Sequence, residues 1–143
     1  MAKMNPYLNF DGKTEEAFNF YKSVFGGDFM GPMHRMRDMP GGDQIPENEK
    51  DRIMHVTLPI GDGDHLMGSD TVPSMGHKLV EGNNVQISLH PTSREEADRL
   101  FNGLSAGGKV EMPMQDTFWG AYFGSFEDKF GIKWMVNYQH SQQ

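Results

Sequence analysis

Apolar residues recur with helical spacing in two segments of the chain that begin 80 positions apart. Apolar residues at positions 17, 20, 21 and 24 of Thr14–Gly27 match apolar residues at positions 97, 100, 101 and 104 of Arg94–Gly107. This i, i+3, i+4, i+7 spacing predicts one amphipathic helix in each segment, ended by glycine. The two segments are also identical at four of 14 aligned positions. We therefore interpret the chain as two copies of one module.

Runs of alternating apolar and polar residues surround both helices and predict four strands in each module. The predicted strands are Pro6–Phe10, Phe29–Arg37, Arg52–Ile60 and His65–Ser69 in the first module, and Val85–His90, Lys109–Met112, Phe118–Phe126 and Ile132–Tyr138 in the second. Each helix follows the first strand of its module, so the predicted order is β-α-β-β-β. Thr14 and Ser93 are predicted N-caps, the latter with Glu96 in a capping box.

Four strands covered on one side by a single helix leave the other sheet face free. We therefore predict an α+β fold in which the two modules form a curved, mostly antiparallel eight-stranded sheet with a concave pocket. The modules span about residues 4–70 and 84–140, and 71–83 links them within a single domain. Asp38–Lys50 is rich in Pro, Gly and polar residues, which predicts a mobile surface loop, and Pro113–Thr117 is predicted to be a second loop.

Composition excludes several classes of function. The net charge of −7, without a Lys/Arg cluster, argues against binding to nucleic acid. The absence of cysteine excludes disulfides and thiolate metal sites. Without an apolar run of about 20 residues or the apolar core of a signal peptide, the chain is predicted to lie in the cytoplasm and not to enter a membrane.

Short motifs in the same order along nearly the whole chain carry a family resemblance. They are Pro6–Gly12, Glu16-Ala17 followed by Phe20-Tyr21, Val24–Gly27, Leu66–Asp70, Asp116–Gly120 and Asp128–Trp134. With the repeated module, they resemble the PhnB-like branch of the vicinal-oxygen-chelate superfamily, which includes glyoxalase I, extradiol dioxygenases, and fosfomycin and bleomycin resistance proteins. Lys129 departs from the Pro that the family commonly has there. The resemblance also implies a homodimer.

The resemblance implies a divalent metal ion held by His, Glu or Gln on the first and last strand of each module. The matching positions here are Pro6, Met67, Gln86 and Met135. Proline and thioether are not ligands for such an ion, so we predict that this metal site is lost and that no cofactor is bound. Members of the branch are often described as methyltransferases, but no glycine-rich strand–helix loop could cradle S-adenosylmethionine, and we do not predict that activity.

Strand alternation predicts which side chains line the concave face. They are His55, Thr57, His65, Met67, Ser69, Gln86, Ser88, His90, Tyr122, Lys133, Met135 and Asn137, with Trp119 at the rim. From these the predicted substrate-binding residues are His55, Met67, Ser69, Gln86, Ser88, His90, Trp119, Tyr122 and Met135. Flat apolar groups mixed with a few hydrogen-bonding groups are typical of a small-molecule site. The histidines have alternative interpretations as surface residues, as a new metal site or as a general base.

Three functional hypotheses follow. The first is a metal-free protein that binds an unidentified small molecule. The second is a lyase or isomerase of the same superfamily that uses a divalent metal or a His/Tyr acid–base pair. The third is a structural or interaction protein, because a fold does not by itself determine a function.

Overall fold

The computed structural model describes residues 2–140, and their contacts divide the chain into two compact units, Met1–Val80 and Glu81–Gln143. Each unit has one helix and four strands in the predicted β-α-β-β-β order. The α+β class and the internal repeat are therefore confirmed. The strands form two four-stranded sheets rather than one eight-stranded sheet, because each described strand pairs with strands of its own unit.

The first unit contains the first sheet. Its elements are β1 (Tyr7–Phe10), α1 (Thr14–Phe25), β2 (His34–Arg35), β3 (Ile53–Ile60) and β4 (Asp64–Asp70). The strand order is β1-β4-β3-β2, with β1 and β4 parallel and the other pairs antiparallel.

The second unit repeats this arrangement in the second sheet. Its elements are β5 (Ile87–Leu89), α2 (Arg94–Ser105), β6 (Lys109–Asp116), β7 (Ala121–Glu127) and β8 (Lys133–Gln139). The order is β5-β8-β7-β6, and again only the first and last strands of the unit, β5 and β8, run parallel. Within residues 2–140, neither helix has the length and apolar content needed to cross a membrane.

Each helix packs on one face of its own sheet through apolar side chains. In α2 these are the four predicted positions. In α1 Phe18 is buried although it was not in the predicted set, and the predicted Phe20 and Val24 are only half-buried. The buried apolar residues include Leu8, Phe10, Ala17, Phe18, Tyr21, Val56, Leu58 and Leu66 in the first unit, and Ala97, Leu100, Phe101, Leu104, Phe126, Trp134 and Val136 in the second. Gly68 permits close contact in the first sheet, because a Cβ there would lie 2.6 Å from the ring of Phe18. Gly124 does so in the second, where a Cβ would lie 2.8 Å from Phe101.

The two predicted helix caps have different outcomes. The Ser93 cap is confirmed, since the Glu96 N–H donates to its Oγ at 3.1 Å. The carboxylate of Glu96 accepts from the N–H of Thr92 at 2.9 Å, one residue before the capping-box partner. The prediction for Thr14 is wrong: Thr14 is the first helical residue, and its N–H and hydroxyl both donate to Asp70 at the end of β4.

Several predicted boundaries in the strands are wrong. Within Phe29–Arg37 only His34 and Arg35 form a strand. The predicted loop Pro113–Thr117 mostly belongs to β6, which accommodates Pro113 because it is an edge strand with register irregularities. Thr117–Gly120 is instead a turn closed by a hydrogen bond from the Gly120 N–H to the Thr117 carbonyl, so β7 begins later than predicted.

The segment Asp38–Lys50, predicted to be a mobile surface loop, lies mostly on the surface but is more ordered in its hydrogen bonding than its composition suggested. The segment folds into short 3-10 turns, Gly42–Gln44 and Glu47–Glu49, after a first such turn at Met36–Asp38. Ile45 is buried in a small cluster with Met36 and Val72. Buried Glu49 accepts a 2.6 Å hydrogen bond from the hydroxyl of Ser74. These contacts are long-range, so local composition did not reveal them.

Candidate functional site

Most of the predicted site residues lie on two sheet faces, one in each unit. We define the first face as the side of the first sheet opposite α1, which carries Tyr7, Asn9, His55, Thr57, His65, Met67 and Ser69. We define the second face as the side of the second sheet opposite α2, which carries Ser88, Phe123, Ser125, Lys133, Met135 and Asn137. His90 follows β5 directly, beyond Leu89, which pairs with Val136, so His90 is level with Asn137.

A chain of hydrogen bonds through His55 lies at the centre of the first face. Its Nδ1 lies 3.2 Å from the hydroxyl of Tyr7, and its Nε2 lies 2.9 Å from the hydroxyl of Thr57. The rings of Tyr7 and His55 are stacked, with centroids 5.7 Å apart and planes 29° apart. The register places Met67 between Tyr7 on β1 and Thr57 on β3.

This arrangement can move a proton. Both hydroxyls can donate or accept, so His55 can carry its proton on either nitrogen and can donate from both when it is charged. Thr57 is buried and His55 half-buried, but Tyr7 is 44% exposed. Tyr7 is therefore the most exposed of the three residues in this chain of hydrogen bonds.

The other residues of the first face are polar or soft. The hydroxyl of Ser69 lies 3.5 Å from Oδ1 of Asn9, and half-buried Met67 contributes a thioether. Tyr7 and Asn9 were not among the residues of this face predicted from the sequence. The signal was present, because they alternate with Leu8 and Phe10, which are buried under the helix.

The second face also has a pair formed by a histidine and a hydroxyl. The hydroxyl of Ser88 lies 3.1 Å from Nε2 of His90, and both residues are exposed. Ser88 pairs with Met135, which pairs with Ser125 on β7. The next row holds Asn137 and its cross-strand partner Phe123. Oδ1 of Asn137 is buried and has no hydrogen-bond partner among the described residues.

The placement of Tyr122 on the concave face is wrong. Tyr122 shares the α2 side of β7 with Gly124 and Phe126, and its hydroxyl donates to Asp98 of α2 at 2.6 Å. That hydrogen bond raises the pKa of Tyr122, and the guanidinium of Arg94 lies 3.9 Å from its ring centroid. Phe123 takes the position on the second face. The segment Ala-Tyr-Phe-Gly-Ser-Phe has no clean alternation, so its orientation could not be derived from sequence.

Three further predicted residues lie at the margins of the second face. Gln86 is exposed and precedes β5, and Trp119 lies in the turn before β7, in edge-to-face contact with Phe118 at 5.0 Å. Lys133 is engaged in ion pairs, with its Nζ 3.0 Å from Glu111 and 3.5 Å from Glu127. The hydrogen bond that Lys133 donates to Glu111 raises the pKa of Lys133. The two ion pairs make this side chain an internal partner rather than a free ligand group.

A shallow cleft of about 480 Å³ occurs in the second unit. Its lining residues are Glu81, Gly82, Asn83, Glu127, Gly131 and Lys133. Apart from Lys133 it contains none of the predicted site residues, and its lining is charged or polar. We therefore take the two sheet faces, and not this cleft, as the candidate site.

The residues do not fit the divalent ion that the resemblance implies. Met67 and Met135 do lie on the first and second faces, but thioethers are poor ligands for such an ion. Pro6 precedes β1 and accepts the Met67 N–H through its carbonyl, so only the amide of Gln86 remains as a possible ligand. In the part of the chain that the structure describes, no three His, Asp or Glu side chains are grouped as they would be around a metal ion.

The residues also do not fit a methyl-group donor such as S-adenosylmethionine. The turn between β1 and α1 is Asp11-Gly12-Lys13, and the side chain of Arg52 lies against Gly12. The corresponding turn before α2 is His90-Pro91-Thr92-Ser93. Neither turn is a glycine-rich loop at a helix start.

Known proteins match this chain over nearly its whole length. The family model described as 3-demethylubiquinone-9 3-methyltransferase matches residues 2–137. Protein YjdN of Escherichia coli (strain K12) is 34% identical over 144 residues, covering 94% of this chain and 93% of that protein.

Solved structures agree with this relationship. Protein PA1353 from Pseudomonas aeruginosa is 40% identical, with a TM-score of 0.85 over 99% of this chain and 100% of its own. A PhnB protein from Bacillus cereus is 25% identical, with a TM-score of 0.75 over 96% and 99% of the two chains. A glyoxalase/bleomycin resistance protein/dioxygenase family enzyme from Burkholderia phytofirmans is 15% identical, with a TM-score of 0.57 over 93% and 96%, and so shares the fold.

Proposed function

We propose that this chain, which belongs to the PhnB-like family of the glyoxalase/bleomycin resistance superfamily, binds a small organic molecule on the first face without a metal ion. The family is the one that the 3-demethylubiquinone-9 3-methyltransferase model describes. The observation that carries this proposal is the Tyr7–His55–Thr57 chain of hydrogen bonds. It holds a polar group in one orientation beside a thioether and a partly exposed aromatic ring, the combination that small-molecule sites use.

The chemistry of the first face indicates the kind of ligand. Met67 and the Tyr7 ring suit a flat apolar body, and the Tyr7 hydroxyl suits one polar group on it. The metal-free part of the proposal rests on the donor set, in which Met67 and Met135 occupy the strand positions expected for His or carboxylate ligands.

Binding on the first face can be tested with protein labelled with ¹³C in its methionine methyl groups. A panel of phenols and benzoates is titrated, and the Met67 signal, assigned with Met67→Leu, is followed. We expect at least one member to shift that signal with an affinity that falls about fivefold in His55→Gln, since a net hydrogen bond is worth roughly 1 kcal/mol. The matched control is His90→Gln on the second face. A panel that never moves Met67, or that binds His55→Gln equally well, contradicts the proposal.

The metal can be tested on untagged protein by plasma mass spectrometry, followed by thermal-shift titration with Zn, Mn, Ni and Fe salts. We expect no stoichiometric metal and no saturating stabilisation. Stoichiometric metal, or a shift that saturates near one ion per chain, would contradict the argument from the donor set.

The same observation favours one second candidate, an acid–base lyase or isomerase. Tyr7 would take a proton from a carbon next to a carbonyl as it passes its own proton to Nδ1 of His55, with Thr57 bonded to the other nitrogen. The electron pair of the broken C–H bond would move into an enolate, and the reverse transfers would return a solvent-derived proton to the carbon. The probe is hydrogen–deuterium exchange into the methyl group of acetophenone in D₂O, followed by NMR. Exchange should be accelerated by the protein and lost in Tyr7→Phe, but kept in Tyr122→Phe, whose hydroxyl bonds Asp98 on the helix side. Exchange at the rate of buffer would exclude this candidate.

A further inference from the structure

Methionine recurs at every third position in one part of the first unit. Met30, Met33, Met36 and Met39 form this run, which lies between α1 and β3. The four side chains have different surroundings, since Met30 is 55% exposed whereas Met36 is buried. The run therefore does not follow one face of a regular element, and only part of it contributes to the core.

Three thioethers meet in a small cluster at the end of β2. Met36 is buried there with Ile45 and Val72, and half-buried Met39 and Met54 pack against these residues. We call Met36, Met39 and Met54 the thioether cluster. It shares no residue with the first or the second face, and its two half-buried members leave it open to solvent on one side.

Two irregular features of the backbone direct these thioethers to one place. The N–H of Met39 donates to the carbonyl of Met36 at 3.3 Å in a 3-10 turn, in which side chains three residues apart lie one above the other. On β3, the partners of the two β2 residues are Ile53 and His55, which makes Met54 between them the extra residue of a β-bulge. A bulge redirects a side chain from its regular position, and this one accompanies the packing of Met54 against Met36.

The chemistry of the cluster selects one class of ion. Thioether sulfur is uncharged and polarisable, so it is a poor ligand for hard or borderline divalent ions but a good one for copper(I). A monovalent ion also costs less than a divalent one to remove from water. The buried carboxylate of Glu49, bonded to Ser74 two residues after Val72, places a negative charge in the same part of the unit. The chain has no cysteine whose thiolate could compete for such an ion.

We propose that the thioether cluster binds one soft monovalent metal ion of the copper(I) class, with the sulfurs of Met36, Met39 and Met54 as its ligands. The proposal goes beyond ligand binding on the first face and would stand if no molecule bound at His55. It agrees with the rejection of a divalent ion, because the same donor type that disfavours zinc favours copper(I). Protein prepared without added copper or silver should be empty.

The experiment titrates the full chain with silver nitrate, since Ag(I) is a soft monovalent ion that air does not oxidise. The methionine methyl groups carry ¹³C, and the signals of Met36, Met39 and Met54 are assigned with one Leu variant each. We expect these three signals to shift together and to saturate at about one ion per chain. The signals of Met30 and of Met67 on the first face should move only at higher silver concentration, because neither residue belongs to the cluster.

Variants separate ligation from packing. Met39→Leu and Met54→Leu nearly keep the size of the side chain but remove the sulfur, so both should fold. Each should lower the affinity for silver about tenfold or more, since loss of a group that only orients a metal ligand already costs about tenfold. Met30→Leu, in the same run but exposed, is the matched control and should bind silver as the unchanged protein does. Anaerobic competition with bicinchoninate should give the same order of affinities for copper(I).

Three results would overturn the proposal. One is a silver titration in which the exposed Met30 shifts at the same concentration as the cluster, which would mean that each thioether binds alone. Another is an unchanged affinity in Met39→Leu and Met54→Leu. The third is a Met36 signal that stays in place at saturating silver, a result that the unchanged protein gives even if a variant fails to fold. Zinc chloride, titrated in the same way, should move none of the three signals and tests the donor set separately.

Discussion

The two units have the same order of elements, but different hydrogen bonds hold the start of each helix. In the first unit, a buried carboxylate on the last strand accepts the hydrogen bonds that hold the helix. Asp70 accepts from the N–H and hydroxyl of Thr14 at 3.0 and 2.7 Å, and its other oxygen accepts from the N–H of Ile53 at 2.8 Å. The start of α1, the start of β3 and the end of β4 therefore meet at one side chain.

In the second unit the helix is capped by its own sequence at Ser93, and the buried carboxylate has another place. Asp128, in the turn before β8, accepts from the indole N–H of Trp134 and from the backbone N–H groups of Phe130 and Ile132. It holds a turn and the largest core side chain rather than a helix. The repeat thus preserves the fold while the buried polar contacts that hold it are placed differently.

The packing beneath the helices shows the same kind of exchange. In the first sheet Val56 on β3 pairs with Gly68 on β4, and in the second Gly124 on β7 pairs with Val136 on β8. The valine and the glycine have exchanged strands. What is kept is one position without a side chain, over which an aromatic ring of the helix can lie.

Each unit has an ion pair between the start of its helix and its edge strand, and the signs of the two charges are exchanged between the units. Glu15 of α1 pairs with Arg35 of β2 at 2.7 Å, whereas Arg94 of α2 pairs with Asp116 of β6 at 2.8 Å. The positions correspond approximately, but the signs of charge are exchanged. These exposed pairs are tolerant of change, in contrast to the buried carboxylates.

The largest effect is expected from removing the buried carboxylate of the first unit. Asp70→Ala leaves three donors without their acceptor, and we expect a loss of roughly 3 kcal/mol in the free energy of unfolding. Denaturant unfolding measures the loss, and hydrogen exchange should increase most at the amides of Thr14 and Ile53. Asp62→Ala, in the exposed turn between β3 and β4, is the control. If both variants unfold at the same denaturant concentration, Asp70 does not hold the helix.

A smaller effect is expected at the glycines beneath the helices. Gly68→Ala and Gly124→Ala should each lose roughly 2 kcal/mol of stability through overpacking. Gly82→Ala should be nearly neutral, because nothing lies within 4 Å of a Cβ there. A double-mutant cycle sharpens the comparison: in a Phe18→Ala background, Gly68→Ala should be less harmful and Gly124→Ala unchanged. Equal effects in both backgrounds would show that Phe18 is not what requires Gly68.

The smallest effect concerns pH and the exposed ion pair of the second unit. The hydrogen bond from Arg94 lowers the pKa of Asp116 below its ordinary value, so the pair favours the folded state above about pH 4. This contribution should be lost as the pH falls through the lowered pKa of the folded protein. In Arg94→Gln, the ¹³C NMR titration of the Asp116 carboxyl should move to higher pH.

The matched control for that titration is Arg99→Gln, which removes a positive charge from the same helix but lies near Glu96. It should leave the midpoint of Asp116 nearly unchanged. An equal shift in both variants would indicate a general effect of charge rather than the hydrogen bond.

The sequence alone determined the features that depend on neighbouring residues. The spacing of Ala17, Phe20, Tyr21 and Val24 defined α1, and Ser93 with Glu96 defined the start of α2. Alternation placed His55, Met67 and Ser69 on the first face, because a period of two fixes side-chain direction wherever a strand has a clear apolar side. Helix spacing, capping and alternation are local properties, so the order of elements could be derived without coordinates.

Tertiary structure alone decided what depends on distant residues. Asp70 replaced Thr14 as the acceptor at the start of α1 because the end of β4 lies beside it, 56 residues away in the chain. Tyr122 lies on the α2 side of β7, where its hydroxyl donates to Asp98, and Phe123 lies on the opposite side of the strand. The hydrogen bonds of His55 likewise became visible only in the folded chain. The same is true of the buried oxygen of Asn137, which has no partner among the described residues. Hydrogen bonding across strands and helices depends on separations in space, which a linear pattern does not contain.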